Sequence, residues 1–461
     1  MNTPIIDYVN QYAASGTLRF HMPGHKGSPL LGPEPLDITE IEGADVLYRA
    51  RGLIRESEEN AASLFGSARS FYSAEGSSLC IRAMLQLALL HAHIRGVKPL
   101  IAAGRNAHRV FLEGAALLDL PIRWLGCGEG LLSCAPDPAE LEALFASPES
   151  SPAAVYLTSP DYLGNCLDLG PYAQLCRRHG ALLLVDNAHG AYLRFLQPSR
   201  HPLDQGADLC CDSAHKTLPA LTGAAYLHLS QTCPRELLPM AEQALALFAS
   251  TSPSYLILQS LDRVNALLAG DYPARIRETA LRLDACKEAL RKAGWLLFGS
   301  EPLKLCLLPK ARGYTGIELA ALLRQNGMEP EFADPDHLVL MLSPENRPEE
   351  LDLLQGLFLS LPALDPIREA PPALPAPSPV LSPRQALLSP FETLPVEACL
   401  GRVLATPCVG CPPAVPIAVC GERLSEQSLA LFRYYGIEEL DVVTEPPAFS
   451  PQGEGGREAA G

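Results

Sequence analysis

The chain has 461 residues, 48% hydrophobic and only 19% charged, which is enough for a large core and for two or three domains. Its 36 basic and 52 acidic residues give a formal net charge of −16 with no basic stripe, which argues against a nucleic-acid partner. The opening MNTPIIDYVNQYAASG lacks a basic start followed by a long apolar segment, and no run of about 18 uninterrupted apolar residues occurs, so neither an export signal nor a membrane span is expected and the chain is assigned to the cytoplasm. The 14 cysteines are scattered and are expected to be reduced, mostly as small buried apolar residues. Cys408 and Cys411 form one CxxC with no second pair, and Pro412 and Pro413 mark a turn there, so no metal is expected.

Residues 1–60 read as an N-terminal arm with loops. Phe20–Gly27 (FHMPGHKG) and Asp37–Tyr48 (DITEIEGADVLY) set Pro and Gly among His, Lys and acids, which is loop chemistry. The first stretch fits a surface turn or an arm that reaches a polar pocket. A helical pattern covers Ser57–Phe65, and Ser70–Ser73 is strand-like. Gly76, Ser77 and Ser78 follow, and then a helix carried by Leu79, Ala83, Met84, Leu87 and Leu90. Strand, Gly-Ser-Ser and helix suit a phosphate cradle, in which two hydroxyls and the free N–H groups of a helix start face one anion; they also suit a plain serine cap.

Strand and helix patterns then alternate. Strands are expected at Pro99–Ala103, Pro121–Leu125, Ala153–Thr158, Ala181–Asp186, Ala207–Cys211 and Gly223–Leu229, with helices at Val110–Leu118, Pro138–Phe145 and Tyr172–Arg178. This order implies an α/β fold with a mostly parallel sheet covered on both faces, and ligands in such sheets bind at the carboxyl ends of the strands. Polar groups stand at four of those ends: Arg105, Asn106 and His108; Ser159, Asp161 and Tyr162; Asp186, Ala188 and His189; Ser213, His215 and Lys216. Taken alone, Lys216 could be an ordinary surface lysine. Together the four groups fit one cofactor. Asp186 suits a protonated ring nitrogen, Ala188 leaves room for a flat ring, His108 can stack on it, the serines suit a phosphate, and Lys216 offers an amine to an aldehyde. That set describes pyridoxal phosphate.

The motifs FHMPGHKG (20–27), DITEIEGAD (37–45), EGSS (75–78), RNAHR (105–109), SPDYLGN (159–165), VDNAHGAY (185–192), DSAHKTLPALTGAAYLH (212–228) and STSPSY (250–255) occur in order and cover nearly all of residues 20–260. In them the chain resembles the bacterial Orn/Lys/Arg decarboxylases of the fold-type I, aspartate-aminotransferase-like pyridoxal phosphate class. The resemblance implies that Lys216 bonds the cofactor aldehyde, Asp186 pairs with the pyridine nitrogen and His108 stacks on the ring. Gly76, Ser77, Ser78, Ser213 and His215 would hold the phosphate, with Ala188 and His189 beside the ring. His189 stands where the long inducible members carry a tryptophan. The chain is similar to the shorter branch, without the N-terminal receiver-like wing domain. It implies α-decarboxylation of a basic L-amino acid, arginine slightly favoured, else lysine or ornithine, within polyamine metabolism. Glu42, Asp45 and Asp161 are the acids available to a distal cation. A homodimer or larger homo-oligomer with its site at the interface is implied, FHMPGHKG and STSPSY being the candidate partner loops. An aminotransferase-like enzyme and a non-catalytic pyridoxal-phosphate-binding homologue are the alternatives.

The sequence divides into an arm (1–60), a cofactor-binding domain (61–265), a smaller α/β domain (266–361), a proline-rich linker (362–383), a C-terminal subdomain (384–445) and a disordered tail (446–461). A helix is expected over Ala274–Ala293, strands at Leu303–Leu308 and Leu338–Leu342, a capping box at Thr315–Glu318 before Leu319–Arg324, and a helix over Glu349–Leu361. GRVLATPCVGCPPAVPIAVCGE (401–422) is similar to the family's proline-rich C-terminal segment, but Cys411 replaces the aromatic residue the family more usually has before the paired prolines.

Overall fold

The protein is described from a computed structural model that covers residues 1–127, 132–410 and 415–444. Cys411 and the tail expected to be disordered lie outside the described residues. The large sheet consists of β1 (Arg69–Ser73), β2 (Ile101–Gly104), β3 (Ile122–Leu125), β4 (Ala154–Thr158), β5 (Leu182–Asp186), β6 (Leu209–Asp212) and β7 (Ala225–Leu229), in spatial order β1-β7-β6-β5-β4-β2-β3. β7 runs antiparallel to β1 and β6, and the other pairs are parallel. Every strand expected between residues 70 and 229 is present.

The central strands read as unbroken apolar runs because both faces of the sheet are covered. Their residues alternate between two packed clusters. Ala154, Tyr156, Leu182, Leu184, Leu209 and Cys211 join one, and Val155, Leu157, Leu183, Val185 and Cys210 join the other. The first face is covered by α1 (Pro4–Ala14), α2 (Leu53–Phe65), α3 (Gly76–Arg95), α4 (Arg109–Leu118) and, after α5 (Pro138–Phe145), α6 (Gly170–His179) and the one-turn α7 (Ala214–Thr217), by α8 (Ala241–Ala246) and α9 (Tyr255–Leu268). The second face is covered by α5 and α6. α3 has the length and apolarity of a membrane span, but its apolar residues pack into the first cluster, as expected of a core helix.

The first 60 residues are less loop-like than their sequence suggests. α1 buries Ile5 and Val9 completely, and Asp262 of α9 accepts the N–H groups of Ile5 and Ile6 at 3.0 and 3.1 Å. A carboxylate at a helix start satisfies donors that have no partner inside the helix.

α10 (Tyr272–Lys292) leads to a second, antiparallel sheet of β8 (Leu296–Phe298), β9 (Lys304–Leu308), β10 (Phe332–Ala333) and β11 (Leu338–Met341), in order β10-β11-β9-β8. α11 (Gly316–Gln325) and α12 (Pro348–Ser360) pack on it around Trp295 and Phe358, and Thr315 and Glu318 form the expected capping box. Residues 362–383 hold no helix or strand before α13 (Pro383–Leu387), yet they are tied down. Leu364 and Ile367 bond Arg312 and Lys310, while Val380 and Leu381 bond Gly421. Beyond them, β12 (Phe391–Pro395), β13 (Cys408–Gly410), β14 (Pro416–Val419), α14 (Glu426–Tyr434) and β15 (Glu439–Val443) enclose a core of their own.

Candidate active site

In chain order β3 lies on one side of β2 and β4 on the other. The loops that leave β2 and β4 therefore part, and this switch point opens a crevice at the carboxyl edge of the sheet. A cavity of about 480 Å³ lies there. Gly76, Ser77, Ser78, His108, Asp186, Ala188, His189, Ser213, His215 and Lys216 all line it. Residues from 76 to 216 are thus brought to one hollow by three strand ends and one helix start.

α3 begins at Gly76, earlier than its apolar pattern indicates, because the pattern marks only the turns that pack on the sheet. The N-cap, Glu75, makes no side-chain cap bond. Ser77 and Ser78 therefore sit in the first turn, where N–H groups lack intrahelical acceptors. Gly76 has φ +70°, a backbone conformation that favours glycine. Its N–H donates to the Gly223 carbonyl at 2.7 Å, which pins the turn to the loop before β7. Ser213 Oγ donates to Ser77 Oγ at 2.8 Å and joins the two loops.

Asp186 ends β5 and is 3% exposed. Its Oδ1 accepts the Ala188 N–H at 3.1 Å and the Cys211 thiol at 3.6 Å, and its Oδ2 accepts the Tyr156 hydroxyl at 3.1 Å. Burial raises the Tyr156 pKa far above its usual value, so the phenol remains a donor. The carboxylate is fixed in place and faces the cavity. His108 caps α4 by accepting the Val110 N–H at 3.3 Å, which holds its ring at the cavity wall. His215 donates through Nδ1 to the Ala224 carbonyl at 2.9 Å, leaving Nε2 as its unengaged ring nitrogen.

Lys216 reaches the cavity from α7. The surrounding protein lowers its pKa; Asp186 opposes that shift and the Lys304 cation adds to it. Lys216 Nζ lies 3.1 Å from His189 Nε2. On the other side of the same ring, His189 Nδ1 lies 3.4 Å from Lys304 Nζ, and Lys304 is ion-paired with Glu301 at 2.9 Å. Burial, and then the two lysines, push the His189 pKa well below the usual imidazole value. The edge of the Tyr162 ring closes over His189, with centroids 5.4 Å apart.

Lys304 opens β9 of the second sheet and Glu301 lies in the loop before it, and no run of residues joins them to this site. The signal available was a lysine opening an apolar strand, KLCLL, with an acid three residues before it. Tyr156 is hidden by its place inside a strand. Asn106 Nδ2 is a buried donor without a partner at the cavity wall. Of the acids named for a distal cation, Asp161 lines the cavity and is 3% exposed; burial raises its pKa. Asp45 is occupied elsewhere, accepting the N–H groups of Val46, Arg51, Gly52 and Arg55. Glu42 is absent from the lining. The FHMPGHKG stretch does not reach the cavity of its own chain, and Phe20 is 92% exposed. STSPSY is anchored at the cavity rim, where the Ser250 N–H donates to Glu75 at 2.7 Å. The C-terminal segment contributes Pro416 to the lining and is clamped to the loop after β2 by a buried two-pronged pair, Arg105 to Glu422, at 2.7 and 2.6 Å. Cys411 and the side chain of Cys408 lie outside what the structure describes.

A family sequence model described as Orn/Lys/Arg decarboxylase, major domain, matches residues 3–294. An uncharacterized protein of Bacillus subtilis, YaaO, is 29% identical over 458 residues, covering 93% of each chain. An arginine decarboxylase of Halalkalibacterium halodurans is 27% identical and covers 94% of this chain and 93% of its own. Among solved structures, lysine decarboxylase A of Pseudomonas aeruginosa superposes with a TM-score of 0.76 at 18% identity, over 95% of this chain and 80% of that one, a likeness of fold.

Proposed function

The chain belongs to the Orn/Lys/Arg decarboxylase family, pyridoxal-phosphate-dependent enzymes of fold type I, and from that premise we propose that it removes the α-carboxyl group of arginine, ahead of lysine or ornithine. The products would be carbon dioxide and agmatine, or a diamine, and would feed polyamine metabolism. The observation that carries the reading is that Lys216 and Asp186 open into one cavity. The arginine decarboxylases among the relatives favour arginine, and so does Asp161, an acid in the cavity wall that could face a guanidinium.

The donor set suits the cofactor. Ser77, Ser78, Ser213, His215 and the first-turn N–H groups of α3 would hold the phosphate, and Asn106 Nδ2 is a buried donor still unspent. Asp186 would face the ring nitrogen, Ala188 would leave room for the ring, and His108 would cover it. Lys216 would be the covalent anchor. Pyridoxal phosphate, once bound, supplies the sink for the electron pair left when carbon dioxide departs.

The chain's own residues do the rest. Asp186, fixed by Tyr156, Ala188 and Cys211, presents a preorganised negative charge. Tyr162 and His189 narrow the cavity and exclude water beside Lys216. Two groups can return a proton to the α-carbon: Lys216 Nζ, which touches His189, and His215 through Nε2. We further propose a homodimer. Leu18, Phe20, Met22, Leu30 and Leu31 of the arm are 66–92% exposed, an apolar run that a second copy would cover. The free state of the described cysteines accords with a cytoplasmic location.

Carbon dioxide and amine release from arginine, lysine and ornithine, measured side by side, tests the assignment. At least a tenfold higher kcat/KM for arginine is expected. A keto acid in place of carbon dioxide would move the reading to an aminotransferase-like enzyme.

A further inference from the structure

We propose that Lys304, held as a cation by Glu301, fixes His189 as its Nε2–H tautomer, so that His189 donates to Lys216 Nζ and keeps it as a free amine. The inference rests on the reading of Lys216 as the cofactor-bonding residue.

Lys304 Nζ has two neighbours that can only accept, Glu301 Oε2 at 2.9 Å and the Asp161 carbonyl at 3.3 Å, and His189 Nδ1 lies 3.4 Å away. An ammonium has donors and no acceptor, so a carboxylate ion-paired with it and a carbonyl beside it both suit a charged lysine. The Lys304 and Glu301 side chains are each 1% exposed, and a pair removed from water this far remains charged only with its partners in place. Glu301 is itself tied down, because Lys287 Nζ donates to its carbonyl at 2.8 Å and the Tyr192 hydroxyl lies 3.4 Å from Oε1.

The consequence runs through the imidazole ring. A neutral imidazole has one N–H and one bare nitrogen. A proton on Nδ1 would face the Lys304 ammonium, so Nδ1 is the bare nitrogen and Nε2 carries the hydrogen. Lys216 Nζ lies 3.1 Å from Nε2 and must accept that hydrogen. An ammonium cannot accept, whereas an amine can. The amine is also the form that condenses with an aldehyde. The other charged and titratable groups around the pair are His108, His215, Asp186, Glu331 and Cys211, together with the Tyr162 ring. Among the described residues the His189 ring has hydrogen-bond contacts to Lys216 and Lys304, and none of these other groups sets its tautomer. Lys304 is therefore a positioning residue: it is absent from the cavity lining and acts through His189.

The test uses the full chain freed of cofactor. With 15N-labelled histidine, long-range 1H–15N spectra report which ring nitrogen bears hydrogen, and the His189 signals are identified by their loss in His189→Asn. A bare Nδ1 and a protonated Nε2 near neutral pH are expected. An Nδ1–H tautomer or an imidazolium would overturn the proposal, and this measurement needs no Lys304 variant to fold. The second measurement follows capture of added pyridoxal phosphate against pH. In capture one C=N bond forms to Nζ, one water leaves, and borohydride then fixes the adduct. In Lys304→Met/Glu301→Gln, which removes both charges together, the ring is released to accept from a Lys216 ammonium. The pH midpoint of capture should rise by about one unit, a tenfold slower capture on the acid side. Lys304→Arg should keep the original midpoint. An unchanged midpoint in the double variant would also overturn the proposal. If Lys216→Ala still captured the cofactor, the function reading would fail instead, so the two failures are separable.

Discussion

Two clusters of buried acid and imidazole lie at the ends of adjacent strands, one around Asp212 of β6 and one around Asp186 of β5. They use nearly the same residue types and differ in what is left over. Asp212 is 0% exposed; Oδ1 accepts from Asn187 at 2.7 Å, and Oδ2 accepts from His201 at 3.0 Å with His228 Nε2 3.4 Å away. Ser70 holds the other side of His228 at 2.7 Å, and the Phe65 ring lies against it. Burial works against the charge, yet the two imidazoles win and hold the Asp212 carboxyl well below the usual carboxylate range. This cluster lines no part of the main cavity. Asp186 is as firmly held but opens into the cavity beside His108, Lys216 and an unspent amide at Asn106. A polar cluster sealed from that cavity fixes structure, and one that opens into it can take a ligand.

The sharpest way to break this contrast is Lys216→Ala. Turnover and the borohydride-trapped adduct should both vanish while the thermal transition stays in place; activity like that of the parent would overturn the assignment. Asp186→Asn keeps the shape and removes the charge. A loss of roughly 10²–10³-fold in kcat is expected, the usual scale for removing one preorganised electrostatic partner. An unchanged kcat would place Asp186 with the structural acids.

Asp212→Asn should invert the pattern. Removing one member of a buried pair commonly costs ~3–5 kcal/mol, so urea unfolding should show a loss near the lower figure. The kcat of the folded, cofactor-loaded fraction should fall by less than tenfold. A large loss of kcat with stability intact would mean that the cluster acts on chemistry.

The sheet was legible because its strands are continuous apolar runs, and the site because its residues stand at the ends of those runs. His108, Asp186, Ala188, His189 and Lys216 could be named from chain order alone. Lys304 and Glu301 could not, since what brings them to His189 is the packing of a second sheet, a contact with no local sequence trace. Tyr156 was hidden for a different reason: it sits in the middle of a strand, where tyrosine reads as core. The start of α3 at Gly76 was missed because apolar periodicity marks only the packed turns, and α1 was missed because only Ile5 and Val9 of its stripe are fully buried. The proline-rich segment 362–383 read as a semi-rigid linker, and its hydrogen bonds to Lys310, Arg312 and Gly421 depend on partners far away in sequence.

Glu58 of α2 extends the contrast to an acid with no cation bonded to it. It is 3% exposed and accepts a single bond, from the Tyr72 N–H at 3.0 Å. Burial raises its pKa from 4.5 to about 8, so at neutral pH it remains a neutral acid where Asp212 remains an anion. The two therefore respond to pH with opposite signs. For Asp212, whose folded pKa is depressed, the stabilisation is present above the unfolded carboxylate range and is lost in acid. For Glu58, the folded chain keeps a proton that the unfolded chain has released above pH 4.5, so stability falls as pH rises from there to about 8. Glu58→Gln retains an acceptor for Tyr72 and cannot ionise. Its stability relative to the parent should therefore improve by up to ~5 kcal/mol between acid and alkaline pH, measured by urea unfolding at each pH. Parallel pH curves for the two proteins would show that the parent Glu58 is already ionised in the fold, and that an acid deprived of a cation here stays charged like its paired counterpart.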